Sequence, residues 1–514
     1  MNKSLLKFLP VAAALLIAAS CSKDDDGNAP ASGRDGVHTV STTTDTTKNV
    51  SIPFAITVGG RPSSLTKAQV VESESGGLTQ KFSEGDVLII TGDGLDKGNP
   101  SVLTITPEGI DQETATFTGN LNLATGVALT SGVSRLTATL ANKTLGNQGQ
   151  PLAAPVLVSD LEEAFEKYGY LVADFTYDAG ATSINLEQHT AFLVFNLPYN
   201  GAKVNVKIGD VTTPVFVQQK QVLAVPDGAT VSSQLMKDAL VIDLQPKTPG
   251  AQVDVVFDIK RDDLPENCVP GLFSVSADKQ VFFSKGNLMY QASTGTWKFA
   301  DNQSDYIGNA AGNTTANEYD GEGNITKDNR ANNSAYIDLF GWGMWLDGQD
   351  PTKTVDDYTY YLPNVRSGNF TGASAIGSEW ETLTCGDDDN PGEWNYLLGL
   401  NGCIARANAA NLNHLATVND VPGLVILPDG YDYTSINWSN YDWADLEKAG
   451  AVFLPASGRR LGTVVVDIGN YGYYWSSSSF DECRAFNLFF VDGNVDWGGY
   501  YRYNGQSVRL VRAL

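Results

Sequence analysis

Polar and apolar residues alternate with a period of two through much of the first half of the chain. Lys203-Val204-Asn205-Val206-Lys207-Ile208 shows it most cleanly, and a strand with one buried face requires that alternation. Ser51 to Val58, Val87 to Thr91, Leu136 to Leu140, Phe192 to Leu197 and Val253 to Ile259 read the same way. Gly, Pro, Asn and Asp punctuate these runs at the intervals of a β-sandwich. One segment changes period: Leu161-Glu162-Glu163-Ala164-Phe165-Glu166-Lys167-Tyr168 predicts an amphipathic helix capped by Ser159 or Asp160. The pattern therefore predicts a mostly β chain whose first half is two stacked sandwiches, 50–158 and 159–265.

The second half, 270–514, has a different texture. All nine tryptophans lie there, from Trp297 to Trp497, and the change falls near the charged stretch Arg261-Asp262-Asp263-Leu264-Pro265-Glu266-Asn267. Regular alternation is scarce, so buried tryptophans are expected to fill a loop-rich domain. Val508 and Leu510 alternate as a terminal core strand.

The N-terminus changes the picture from fold to location. Lys3 and Lys7 precede an apolar stretch from Leu9 to Ala19, far short of the roughly 20 residues a helix needs to span a bilayer. That is the shape of a signal peptide, residues 1–20. Ala18-Ala19-Ser20-Cys21 resembles a lipobox, which makes Cys21 the lipidation site. No second apolar run could cross a membrane, so lipid is the expected anchor. Lys23-Asp24-Asp25-Asp26 resembles a surface-export signal of gut-anaerobe lipoproteins, or serves as a solvated tether. Residues 21–49 are too poor in apolar groups to fold and read as a flexible stalk. The expected location is the outer membrane, lipid-anchored and surface-exposed. A net charge of −25 over 514 residues argues against nucleic acid as a partner.

With these residues in view, the first half resembles the fimbrillins, the subunits of type V pili. The lipoprotein start, the Ser/Thr stalk, Phe82-Ser83-Glu84-Gly85-Asp86 and the Ala191-Phe192-Leu193-Val194-Phe195 strand carry that resemblance. It implies transthyretin-like sandwiches, removal of an N-terminal strand after an arginine, and strand addition between pilus subunits. Arg34 and Arg61 are the arginines available, and Arg61 precedes Pro62. An uncut sandwich that holds up the second half is the alternative. The second half resembles the C-type-lectin-like domain, related to the formylglycine-generating enzymes. Gly271-Leu272-Phe273-Ser274-Val275, Asp338-Leu339-Phe340-Gly341-Trp342-Gly343, Gly423 to Asp429, Gly450 to Ala456 and Tyr474-Trp475-Ser476-Ser477 carry it. The implied architecture is two transthyretin-like sandwiches followed by a C-type-lectin-like α+β head.

Candidate chemistry is sparse. The formylglycine-generating enzymes use a cysteine pair near the chain end, and here Cys483 stands alone. Cys268, Cys385 and Cys403 form no C-x-x-C pair, so no zinc or redox motif is read, although one disulfide has the cysteines it needs. Asp387-Asp388-Asp389 offers hard oxygen ligands but reads more simply as a solvated loop. His38, His189 and His414 are scattered singly. No cofactor, metal or enzyme activity is expected, although paired carboxylates keep a carbohydrate-active enzyme as a distant alternative. The nearer alternative is a polymerising fimbrial subunit.

The informative stretch is 473–504. Tyr473, Phe480, Asp481, Asp492, Asp496, Trp497, Tyr500, Tyr501 and Tyr503 are its candidate ligand-binding residues. A mixture of Tyr, Gly, Asn, Asp and Ser suits a binding surface: tyrosine gives contact area at low entropic cost, and small polar residues adapt. The run is either such a surface or a hairpin whose rings pack on their own domain. Gly498-Gly499, expected to pack nothing, favours display. Tyr500, Tyr501 and Tyr503 with Phe480 and Asp481 are then expected to form one solvent-facing patch, for a cell-surface glycan or protein. Most residues of 480–504 are also reachable from asparagine codons by replacing adenines, which resembles the variable region of retroelement-diversified proteins.

Overall fold

The structure, a computed structural model, describes residues 50–59, 82–112, 114–180, 182–236, 240–241, 256–322, 324–345, 352, 376–400, 412–491 and 493–514. Cys21, Arg34, Arg61, His38, Cys403 and Asp492 lie outside them. The fold is mostly β, as the alternation predicts. No helix among the described residues is long and apolar enough to cross a membrane.

The first sheet has eight strands. Its N-terminal strand, Ser51–Gly59, sits inside the sheet. It runs antiparallel to Thr114–Asn122 along its whole length and parallel to Thr182–Asn185. Phe54, Ile56 and Val58 alternate into the core. The sheet curls over, because Phe54 stacks on Phe175 of the far strand Leu171–Thr176 with centroids 6.4 Å apart.

Sheet membership does not divide at residue 158, where the sequence places a boundary. Leu171–Thr176, Thr182–Asn185 and Glu187–Gln188 all belong to the first sheet, while Val156–Val158 pairs in the second body. The helix Leu161–Tyr168 joins the two. Asp160 caps it by accepting the Glu163 N–H at 2.8 Å, the reciprocal of an orphan amide. Its Phe165 packs on Phe192 at 5.6 Å.

The second body has two four-stranded sheets. In its strand Ala191–Asn196, Phe192 points into the first core while Leu193 and Phe195 point into the second. The run is thus not the one-faced alternation expected of Phe192 to Leu197: Ala191 to Phe195 is continuously apolar because both faces of the strand are buried.

The head, from Cys268, does not have a separate core from the second body. One apolar cluster runs from Leu193 and Val204 through Phe282 and Trp342 to Leu510, and Tyr199 meets Phe282 edge-on at 4.9 Å. Polar pins reinforce this seam. Asn200 donates its N–H to Pro270 O and accepts the Leu272 N–H, and its side chain donates to Ala449 O at 2.8 Å. The buried carboxylate of Asp429 accepts from the Ser274 N–H and hydroxyl, both at 2.7 Å, and from the Gln280 side-chain amide at 2.8 Å. The same amide donates to Gly201 O at 2.7 Å. Gly201 has φ +88°, and a Cβ there would lie 2.7 Å from Leu272 O, so only glycine fits.

In the head, Cys268–Ser274, Gln280–Ser284, Trp380–Glu381 and the terminal Val511–Ala513 form one sheet. Val508 and Leu510 are fully buried, as their alternation predicts, but they lie just before the terminal strand. Much of the rest is loop, held by buried side chains that donate to loop oxygens. Trp342 Nε1 reaches Ser476 O and Trp475 Nε1 reaches Phe340 O, each at 2.8 Å. Arg460 donates twice to Leu339 O, at 3.2 and 2.9 Å. Arg509 reaches Gln303 Oε1 at 2.7 Å, and burial pulls its guanidinium down to about 10.

Replacing Asp429 with alanine strands three buried donors, so Asp429→Ala is expected to cost roughly 3 kcal/mol or more. Urea unfolding followed by tryptophan fluorescence, which reports the head alone, tests this. In the native protein that transition is expected to coincide with one read from a probe in 191–232.

Candidate functional site

The residues singled out in 473–504 fall on one antiparallel sheet. Its strands are Gly472–Ser479 (inner), Arg484–Val491 (middle) and Asn494–Tyr501 (outer). Val491 stands opposite Asn494, Leu488 opposite Trp497, and Arg484 opposite Tyr501. Side chains alternate across such a sheet, and this alternation decides where each candidate lies.

One face turns toward the head core. Phe486, Leu488, Phe490 and Tyr474 are buried in it, with Val495 and Trp497 packed against them. Trp497 meets Phe486 at 5.4 Å and is half-buried, an anchor as much as a contact. At the solvent end of this face sits Phe480, 38% exposed. Its ring lies over Gly499, where a Cβ would come within 2.7 Å of it. Gly499 is therefore packed, contrary to expectation: the glycine makes room for the ring.

Phe480 belongs to a pinned loop. Its N–H donates to Arg484 O at 3.0 Å. The guanidinium of Arg484 lies 4.4 Å above its ring and grips Asp481 with two contacts, Nε at 2.7 Å and Nη2 at 2.6 Å. Asp481 also accepts the amides of Cys483 at 3.0 Å and Arg484 at 2.7 Å. Burial works to raise its carboxyl, but the guanidinium and the two amides outweigh that and hold it at about 2. From beneath, Arg502 donates to Ser479 Oγ and Asp481 O, each at 2.6 Å, with its guanidinium 4.4 Å from the Trp342 ring. Tyr501, 49% exposed, completes the group and stacks on Tyr503 at 5.2 Å and 9°.

The opposite face carries a second cluster. Tyr500 meets Tyr473 edge-on at 5.3 Å, and Arg459 lies 5.1 Å from the Tyr473 ring and 5.3 Å from that of Tyr500. Asp467, in the left-handed region at φ +65°, accepts the Tyr473 hydroxyl at 3.3 Å and forms an ion pair with Arg459, whose Nε lies 3.3 Å away. Tyr473 is only 2% exposed, and burial, then the adjoining Tyr500, pushes its hydroxyl up. Asp496 is half-buried and accepts the Trp497 N–H at 2.8 Å.

The single expected patch is thus two. Phe480, Asp481, Tyr501 and Tyr503 share one end, whereas Tyr500 turns to the far face and Tyr473 is core. Neighbouring residues of a strand cannot share a face. The arginines that organise both clusters, Arg484, Arg502 and Arg459, were not singled out from sequence. The hairpin was the available signal for two of them, since Arg484 lies on its middle strand and Arg502 directly follows the outer one. Arg459 lies on a separate pair of strands, Arg459–Leu461 with Val464–Val466, and carried no such signal.

The other candidates are accounted for locally. Asp387 accepts the amides of Asp389 and Asn390 and makes a turn. Among the described residues no three His, Cys, Asp or Glu side chains gather to hold a metal. Cys268, Cys385 and Cys483 are free, and burial pushes the Cys268 and Cys385 thiols up to about 12.

The Asp481 loop generates a pH prediction. Its folded carboxyl, at about 2, lies below the unfolded value of roughly 3.9. The contribution to loop order is then complete above roughly pH 4 and lost as the pH falls through the folded value. A carboxyl titration by NMR should give a midpoint near 2, rising in Arg484→Ala. An ordinary midpoint in the native protein rejects the pinning.

No family model matches the chain, and no curated protein matches its sequence. Among solved structures it is similar to a fimbrial protein from Bacteroides ovatus, at 12% identity over 85% of this chain and 96% of that one, with a TM-score of 0.18. It is also similar to a fimbrial assembly protein from Parabacteroides distasonis, at 6% identity over 49% of this chain and 99% of that one, with a TM-score of 0.19. Scores of this size do not establish a common fold.

Proposed function

We propose that this chain is a surface-exposed lipoprotein adhesin, held in the outer membrane by lipid on Cys21. Its fimbrillin-like bodies carry a C-type-lectin-like head, at a pilus tip or on the chain's own stalk. The head binds a cell-surface glycan or protein, without catalysis. The observation that carries this reading is the exposed pair Phe480 and Tyr501 on a loop locked by Asp481, Arg484 and Arg502. Large aromatics left in water on a rigid support suit a contact surface, because little entropy remains to be lost on binding. Tyr503 borders that end through its stack on Tyr501, while Trp497 lies further along the same face and Asp496 on the other.

A second reading, the polymerising pilus subunit, has one observation in its favour. The strand Ser51–Gly59 lies between two others, so removing it would open a groove that another strand could fill. Pili purified from the producing cell distinguish the two: an adhesin is a minor component, a subunit the major one.

Phe480→Ala and Tyr501→Ala are each expected to weaken ligand capture by roughly 1–4 kcal/mol. Tyr501→Ala should change stability by less than about 0.5 kcal/mol, and Phe480→Ala, whose ring packs on Gly499 and Phe486, by about 1–2 kcal/mol. Tyr473→Ala should instead cost roughly 3–5 kcal/mol of stability, as for other large buried rings. Binding isotherms on a glycan and protein array, beside urea melts, check both. Unchanged capture by the first two variants rejects the site. For the anchor, Cys21→Ala is expected to leave the detergent phase in a partitioning assay. A variant that stays there has another anchor.

A further inference from the structure

Tyr500 and Tyr501 lie on opposite faces of the same sheet, and the strand that carries them, Asn494–Tyr501, is the sheet's outer edge. A ligand that meets both aromatic clusters must pass over that edge. We propose that the head takes its partner as an added β-strand along Asn494–Tyr501, the partner being an extended segment of a neutral or positively charged protein. This rests on the head being the binding part and names the class of its ligand.

The backbone of the edge supports it. In an antiparallel ladder only alternate residue pairs exchange hydrogen bonds. The amide of Trp497 is bound by the Asp496 carboxylate at 2.8 Å, which marks Leu488–Trp497 as a non-exchanging pair. By alternation the amides of Val495, Gly499 and Tyr501 also point away from the ladder. Val495 to Tyr500 are half-buried, and Asn494 and Tyr501 are exposed, so the edge is reachable along its length.

Edge strands normally carry features that prevent such pairing. Several edge strands elsewhere in this chain do: Pro214 in Val211–Val217, Pro270 in Cys268–Ser274 and Lys260 in Val256–Lys260, whereas the edges Asn413–Val418 and Thr182–Asn185 do not. The outer strand of the head is eight residues long, with no proline and no lysine, and Asp496 is its one charge. Gly498 and Gly499 contribute no side chains of their own at its middle, where the Phe480 ring covers Gly499 from one face.

Charge selects the occupant. Two copies of a chain with net charge −25 repel one another, so edge-to-edge pairing of the head with itself is disfavoured. An incoming strand, in contrast, places alternate side chains on the two faces. One set reaches Phe480 and Tyr501, the other Tyr500 and Asp496.

The full chain in detergent, exposed to an array of extended peptides in which apolar residues alternate with lysine, and to a glycan array, tests the proposal. The expected result is peptide capture that weakens roughly tenfold or more in Val495→Pro, which removes one outward amide and one hydrogen bond. Val495→Thr should bind as the native chain does. Independently of any variant, hydrogen exchange should slow at Val495, Gly499 and Tyr501 when peptide binds. Capture of glycans alone, with those amides unprotected, overturns strand addition and leaves the adhesin reading standing. A dimer in sedimentation that Val495→Pro dissolves makes the occupant a second copy and also overturns it. Peptide capture that needs Val495 but ignores Phe480→Ala and Tyr501→Ala keeps the edge and rejects the aromatic face.

Discussion

Backbone oxygens in a loop-rich domain must find donors, and much of this head depends on how that demand is met. Helices and ladders satisfy their own carbonyls, whereas a buried loop cannot. Here long side chains do it from within the core. Arg460 collects Leu339 O, Arg502 collects Asp481 O and Arg484 O, and two indoles collect Ser476 O and Phe340 O. A guanidinium suits the task because its five donors are fixed in a fork and its charge never leaves. Trp342 and Trp475 meet the same need, each a large apolar body with one donor to place. The buried indole N–H groups of Trp345 and Trp394, in contrast, make no hydrogen bond among the described residues, and those rings serve packing.

The exposed loop at Phe480 is the outward result of those inward contacts. Arg502 is 1% exposed and meets the loop from its underside. Through it the packing around Trp342 sets the position of Asp481, and through Asp481 and Arg484 the orientation of the Phe480 ring. The seam at Asp429 extends the same rigidity backwards, since head and second body share one core.

Parts of this were legible in the residues, and physical reasons separate them from the rest. Lys203 to Ile208 and Ser51 to Val58 were readable because one face is wet. The helix at 161–168 was readable because Asp160 and the charged first turn mark its start. The boundary near 158 was not, because strands on either side of it exchange sheets, which leaves no trace in local pattern. Nor was a single core across 261–267 legible, since shared burial depends on Tyr199 meeting Phe282 across the fold. At the candidate site, composition marked out a hairpin, but composition carries no phase. Only strand register separates Tyr500 from Tyr501, and only the ring over Gly499 explains that glycine.

The strand Ser51–Gly59 has a mechanical meaning as well. A pull arriving from residue 50 acts along this strand, while its hydrogen bonds to Thr114–Asn122 run across it. Such a load shears the ladder as a unit instead of unzipping it one bond at a time. Resistance to tension is a matter of unfolding rate rather than equilibrium stability. A load applied there would therefore meet a strand locked between two others, whose resistance is set by that ladder even if the free energy of folding is ordinary.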